Sequence, residues 1–231
     1  TKKIELIGVS KNVAQAKYAT QLAAQLATDH PDEKTAVVLG NETLLTPAIS
    51  AIDDVALTWN VTMGYPLKET PAADFFELFF QLHLNTKKGS FFYKNFKSLL
   101  STPWCLSLLQ FHDLNLEEYL KEMEAKNLFR FSQNKLYALD NTKAINHCFF
   151  APVDSIAGFL SRLIRICDFY TDFLEQTNET DAALHLAYFQ KFKSLFNQLE
   201  AIHQKYAFIE NLPLLLLVFR TLIRGEKIDF L

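Results

Sequence analysis

The chain changes its periodicity at Asn60-Val-Thr-Met-Gly-Tyr-Pro-Leu67, and this constrains the fold more than any other feature. Before that point, short apolar runs alternate with helical stretches. Ile4-Glu-Leu-Ile-Gly-Val9, Thr35-Ala-Val-Val-Leu39 and Val55-Ala-Leu-Thr-Trp-Asn60 have strand length. Between the first two, Val13, Ala16, Ala19, Leu22, Ala23 and Leu26 recur at helical spacing. Ser10 or Asn12 is expected to cap that helix, and Asn41 a second one over 43–52. The 35–39 run is apolar at nearly every position, the pattern of a strand buried on both faces. Strands alternating with helices predict a short parallel three-stranded sheet with flanking helices.

After Pro71 the strand pattern stops. Helices are predicted over 72–84, 90–100 and 116–126, with a short hairpin in 128–139 around Gln133-Asn134. Two long helices follow. One carries the stripe Ile156, Phe159, Leu160, Leu163, Cys167, Tyr170, Leu174; the other carries Leu186, Phe189, Phe192, Phe196, Leu199, Ile202, Tyr206. Joined by a turn over 175–180, they read as an antiparallel helical hairpin. A last helix over 213–224 stops at Gly225. The fold class is therefore α/β followed by mostly α, with domains at 1–69 and 70–231. Hydrophobic residues make up 49% of the chain, which allows a sizeable core, and 21 Phe supply much of it.

No catalytic constellation is legible. The glycines (Gly8, Gly40, Gly64, Gly89, Gly158, Gly225) are too dispersed for a phosphate loop, so no cofactor is expected in this chain. His147-Cys148 is the only close pair of soft ligands and lacks a second pair, so no metal site is expected either. Asp53-Asp54 and Glu117-Glu118 lie beside helix ends, where the helix dipole accounts for them. The three cysteines are far apart and odd in number, which fits buried thiols in the cytoplasm rather than a disulfide framework. The longest apolar run, 212–219, is too short to span a membrane, and a membrane partner is not expected.

One segment is locally basic. No acid occurs between Glu77 and Asp113, while Lys87, Lys88, Lys94 and Lys97 interleave with Phe91, Phe92, Tyr93 and Phe96. Lysines that neutralise phosphates beside aromatics that stack on bases suit single-stranded DNA. The competing reading is a solvated Lys face over a buried Phe face of an ordinary amphipathic helix. Lys87, Lys88, Lys94, Lys97 and Tyr93 are the nucleic-acid candidates. Net charge is −3, so strong binding from overall charge is not expected.

Four blocks of residues resemble a known family. Ile4-Glu-Leu-Ile-Gly-Val9, Asn12-Val-Ala-Gln-Ala-Lys-Tyr18, Thr35-Ala-Val-Val-Leu-Gly-Asn-Glu-Thr-Leu-Leu45 and Asn60-Val-Thr-Met-Gly-Tyr-Pro-Leu67 look like the second motor domain of UvrD-like superfamily 1 helicases. The last block is closest to the AddB-like subunits of helicase–nucleases that process double-strand breaks. The resemblance covers residues 1 to 84, and Phe75-Phe-Glu-Leu-Phe-Phe80 stands where such proteins open a helical insertion. It implies a partial RecA-like subdomain with Gly64, Tyr65, Pro66 and Leu67 as the hinge to that insertion. It also implies DNA and a helicase–nuclease partner subunit as partners, with ATP and Mg expected only for the parent protein or its partner subunit. Asn41 stands where the AddB-like pattern has Asp, and no arginine follows 35–39, which argues against ATP coupling. Thr1 in place of Met, and a strand-like 227–231 with nothing to pair with, fit a segment of a longer protein. Two other readings stay open: a stand-alone helical interaction module without a nucleic-acid role, and a small-molecule enzyme on an α/β core. The second is disfavoured by the missing phosphate loop, nucleophile and metal set.

Overall fold

The computed structural model describes residues 4–52, 60, 62, 64–139, 145–176, 182–206 and 208–228. Two compact units divide between Tyr65 and Pro66, and the second spans Pro66–Ile228.

In the first unit, helix α1 (Asn12–Asp29) packs on α2 (Leu45–Ile52), which follows a 3-10 turn over Glu42–Leu44. The contact uses small side chains. Ala16, Ala23, Leu45 and Ala51 are buried, and the buried Thr20 hydroxyl donates to the Ala16 carbonyl at 3.0 Å. Asn41 caps the 3-10 turn that leads into α2, its Oδ1 accepting the Thr43 N–H at 3.0 Å, so the α-helix expected from residue 43 begins at Leu45. Neither Ser10 nor Asn12 caps α1. The chain enters that helix through Lys11 at φ 68°, with no side-chain cap.

The expected parallel three-stranded sheet is not formed by the described residues. Residues 4–9 and 35–39 carry no regular structure, and the third expected strand, 55–60, lies outside the described residues except for Asn60. The physical reason is pairing. An apolar run becomes a strand only when a neighbour accepts its N–H groups and covers its faces. Here Leu6 and Val38 are 95% and 89% exposed.

The second unit is helical. It begins at Pro66, the second residue of strand β1 (Tyr65–Pro66), and continues through a 3-10 turn over Leu67–Glu69 into α3 (Pro71–Leu84). Thr70 starts α3: its hydroxyl accepts the Ala73 N–H at 3.2 Å, and Pro71, which has no N–H to satisfy, takes the first helical position. Next come β2 (Ser90–Phe92), α4 (Tyr93–Leu100), α5 (Cys105–Phe111), α6 (Glu117–Ala125), β3 (Arg130–Ser132), α7 (Gln133–Tyr137) and α8 (Ile145–Phe150). The long pair α9 (Ile156–Gln176) and α10 (Ala182–Tyr206) follows, then α11 (Leu212–Gly225) and β4 (Lys227–Ile228).

Two local expectations change. The helix expected over 90–100 begins only at Tyr93, because Ser90–Phe92 pairs antiparallel with Arg130–Ser132 in the register Phe91 opposite Phe131. The hairpin expected around Gln133-Asn134 is replaced by α7 for the same reason. Its first strand has a partner forty residues earlier, and residues 133–137 are released to turn helical.

Helix α3 sits at the centre. Its apolar residues cover most of the circumference and leave one stripe, Asp74, Glu77 and Gln81, exposed or half-buried. Phe75, Phe76, Phe79 and Phe80 are all buried. Phe75 meets Phe149 and Tyr170, Phe76 meets Phe189, Phe192 and Phe196, Phe79 stacks on Phe159, and Phe80 meets Phe219. The stripe read on α9 is buried at all seven positions. On α10 the stripe is buried at Phe189, Phe192, Phe196 and Leu199, but Ile202 and Tyr206 are exposed. The pairs Ser161–Glu200 (2.8 Å) and Asp168–Lys193 (2.6 Å) set an antiparallel register in which Tyr206 falls beyond the first residue of α9.

The two ends of this unit meet. The N–H of Leu67, which is fully buried, donates to the Glu226 carbonyl at 3.0 Å, and β1 pairs with β4. Lys191 of α10 holds the Glu226 carboxylate at 2.6 Å. The chain thus leaves the helical body beside the point at which it entered. Among the described residues no helix is long and apolar enough to cross a membrane.

Candidate nucleic-acid interface

The titratable groups in the interior are quiet. Cys105, Cys148 and Cys167 are buried free thiols, and burial pushes Cys105 up to about 12 and raises Cys148 and Cys167 as well. A thiol held protonated is neither a nucleophile nor a metal ligand. His83 is buried among Phe79, Phe91 and Phe159, with Nε2 3.0 Å from the Phe149 carbonyl. Burial, aided by the Arg162 charge, lowers it to about 3, so it stays neutral and Nε2 carries the proton donated to that carbonyl. His147 is exposed while its neighbour Cys148 is buried on the same short helix, so the pair does not converge. Among the described residues no group of three His, Cys, Asp or Glu could hold a metal ion. Asp53 and Asp54 lie outside the described residues. Glu117 and Glu118 occupy the first turn of α6, where their charge faces the positive end of the helix. A shallow depression lined by Gln190, Lys193, Ser194 and Asn197 lies on one face of α10, with no wall from a second element.

The basic segment has a defined geometry. Lys88 (φ 49°) and Gly89 (φ 66°) both take the left-handed conformation, while Lys87 and Ser90 exchange two backbone hydrogen bonds of 3.1 and 3.0 Å. This is the pattern of a two-residue type I′ turn, and Lys87 and Lys88 are exposed on it. Lys94, also exposed, lies in the first turn of α4. Tyr93 and Lys97 are engaged differently. The Tyr93 hydroxyl and the Lys97 ammonium both donate to Glu124 Oε1, at 2.7 and 2.8 Å. Those two donors, Lys97 foremost, lower the Glu124 carboxyl, and the same bond raises Lys97. The sequence reading grouped five residues; the fold brings three of them to a free surface and ties two to an acid.

It also adds residues that the sequence reading missed. Across the ribbon from β2, Arg130 Nη1 donates to the Asn85 and Ser90 carbonyls at 3.2 Å each, and its guanidinium lies 5.6 Å from the Phe92 ring. Phe129 is 78% exposed, and its carbonyl accepts the Tyr93 N–H at 2.9 Å. A signal was available: residues 125–139 contain no acid but carry Lys126, Arg130 and Lys135. It was not joined to the first basic run because a hairpin within 128–139 hides the pairing with β2.

The hinge candidates lie where the units divide. Gly64 and Tyr65 end the first unit, Pro66 starts the second, and Leu67 is fully buried within it. No protein-family model, curated protein or solved structure matches this chain.

Proposed function

We propose that this chain is a non-catalytic segment of an AddB-like, ATP-dependent helicase–nuclease that processes DNA double-strand breaks in the cytoplasm. In this reading residues 66–228 form a helical insertion that scaffolds the complex and contacts DNA or the partner subunit. ATP, Mg and the reacting groups belong to the rest of the parent protein or to that subunit. The observation that supports it is the meeting of the ends: the Leu67–Glu226 hydrogen bond lets a large helical body interrupt another domain without displacing that domain's neighbouring segments. The quiet thiols and His83 are in keeping with a body that does no chemistry. The test is excision. Joining residue 65 to residue 229 through a short linker in the chromosomal copy is expected to leave cells as sensitive to ionising radiation as full deletion of the gene. Cells that keep normal resistance would contradict the reading.

A second reading has its own observation. Ile202 and Tyr206 lie four residues apart on one face of α10, both exposed, with exposed Phe208 just beyond and exposed Leu217 on α11. Exposed apolar side chains of this kind suit a stand-alone protein–protein interaction module. A chain that is dimeric or partner-bound in solution and indifferent to nucleic acid would favour that reading.

A further inference from the structure

We infer that the outer face of the β2–β3 ribbon, with its lysine turn, is a docking site for single-stranded nucleic acid. The site is built from Lys87, Lys88, Lys94, Phe129 and Arg130.

The argument starts from charge. Two segments distant in sequence, 78–112 and 125–139, contain no acidic residue and carry seven basic ones. Folding brings them together through the three residue pairs of the ribbon, Ser90–Ser132, Phe91–Phe131 and Phe92–Arg130. Two of the seven cations are answered by carboxylates: Lys97 by Glu124 and Lys126 by Glu122. Lys87, Lys88, Lys94 and Arg130 form no ion pair among the described residues, whereas Lys135 lies close enough to Glu122 to add to Lys126 in lowering its carboxyl. Unpaired positive charge gathered on and next to one ribbon, in a protein with net charge −3, suits an anionic partner.

Shape then selects the ligand. Alternation along the strands puts Phe91 and Phe131 into the core, where Phe91 is fully buried, and leaves Ser90, Phe92, Arg130 and Ser132 on the outer side. The turn holds its two lysines on a backbone closed by paired hydrogen bonds, so little backbone entropy is lost when they meet phosphates. Phe129 offers an open ring of the kind on which a base stacks, and the Arg130 guanidinium, tied to two carbonyls and lying near the Phe92 ring, offers a fixed positive charge beside it in the chain. In a duplex the bases are already stacked on each other. An exposed Phe ring next in sequence to Arg130, at the edge of a ribbon that carries cations, therefore favours an unpaired strand.

The inference takes its ligand class from the proposed function but rests on the ribbon's own geometry. The test is fluorescence polarisation of the whole chain with a labelled oligothymidylate of about 15 nucleotides, with a blunt duplex and phosphatidylserine vesicles as the other arms. About four phosphate contacts give a slope of log affinity against log salt near −3, hence roughly a 50-fold loss between about 50 and 200 mM salt. Lys87→Ala/Lys88→Ala is expected to flatten that slope by about 1.4. Phe129→Ala is expected to weaken binding about tenfold with the slope unchanged, because stacking carries no counterions. Lys205→Ala on α10 serves as the control and changes neither. The inference is overturned if duplex binds as well as the single strand, if vesicles bind and the oligonucleotide does not, or if the ribbon variants behave like the control. Any of these, alongside radiation sensitivity after excision, would sink the ribbon site while leaving the proposed function in place.

Discussion

His83 is the residue at which burial and charge oppose each other most sharply. Its neutral ring donates to the Phe149 carbonyl inside an aromatic shell, and Arg162, whose guanidinium lies 5.0 Å from the Phe159 ring, sits close enough to repel a second cation. Its folded value, about 3, lies below the ordinary 6.5. A depressed value means that stability is fully present above about pH 6.5 and is lost as pH falls toward 3. At pH 5 the loss attributable to this group is about 2 kcal/mol. Urea midpoints at pH 7 and pH 5 check it: His83→Gln, which keeps an N–H donor, is expected to lose markedly less than wild type over that interval. Equal losses would contradict the assignment. Phe76 carries a packing prediction. Its ring touches Phe75, Phe189, Phe192 and Phe196, and Phe76→Ala is expected to cost about 3–5 kcal/mol in denaturant unfolding. At Gly89 a side-chain methyl would meet open space, so strain at φ 66° alone sets the expected cost of Gly89→Ala, about 1 kcal/mol.

Among the elements, α3 depends on its start. The Thr70 hydroxyl donates to the Leu67 carbonyl at 2.7 Å and accepts the Ala73 N–H, so it joins the 3-10 turn to the helix it caps. Thr70→Ala is expected to lower stability by about 1 kcal/mol or somewhat more, because the hydroxyl is buried. The same helix is tied to α11 by Glu77 and Arg220, whose Nε–Oε2 distance is 2.9 Å. Both side chains are partly exposed, so a double-mutant cycle should give at most about 1 kcal/mol, shrinking in high salt. The long helices were legible from residue spacing because burial on one face repeats every three or four positions: Ile156 to Leu174 on α9 needs no partner to be recognised. The cap at Asn41 was legible for the same local reason. The β2–β3 ribbon was not, since pairing Phe91 with Phe131 is a fact about residues forty apart. The apolar runs at 4–9 and 35–39 misled for the converse reason: they have strand composition but, among the described residues, no strand to pair with. The basic candidates divided along the same line. Lys87 and Lys88 could be read as charged from composition, whereas the capture of Lys97 and Tyr93 by Glu124 depends on where α6 packs.

At the scale of the whole molecule, the central claim is that residues 66–228 form a closed body whose ends are pinned together by the Leu67–Glu226 bond and the β1–β4 pair. Its core runs from Leu67 to Ile228 and is rich in phenylalanine from six helices, enough for cooperative melting without help from the residues outside it. The direct measurement is thermal unfolding of residues 66–228 produced alone, followed by circular dichroism beside the full chain. The account predicts one cooperative transition with a midpoint close to that of the helical signal in the full chain. A piece that is unfolded, or that melts gradually without a cooperative step, would contradict it.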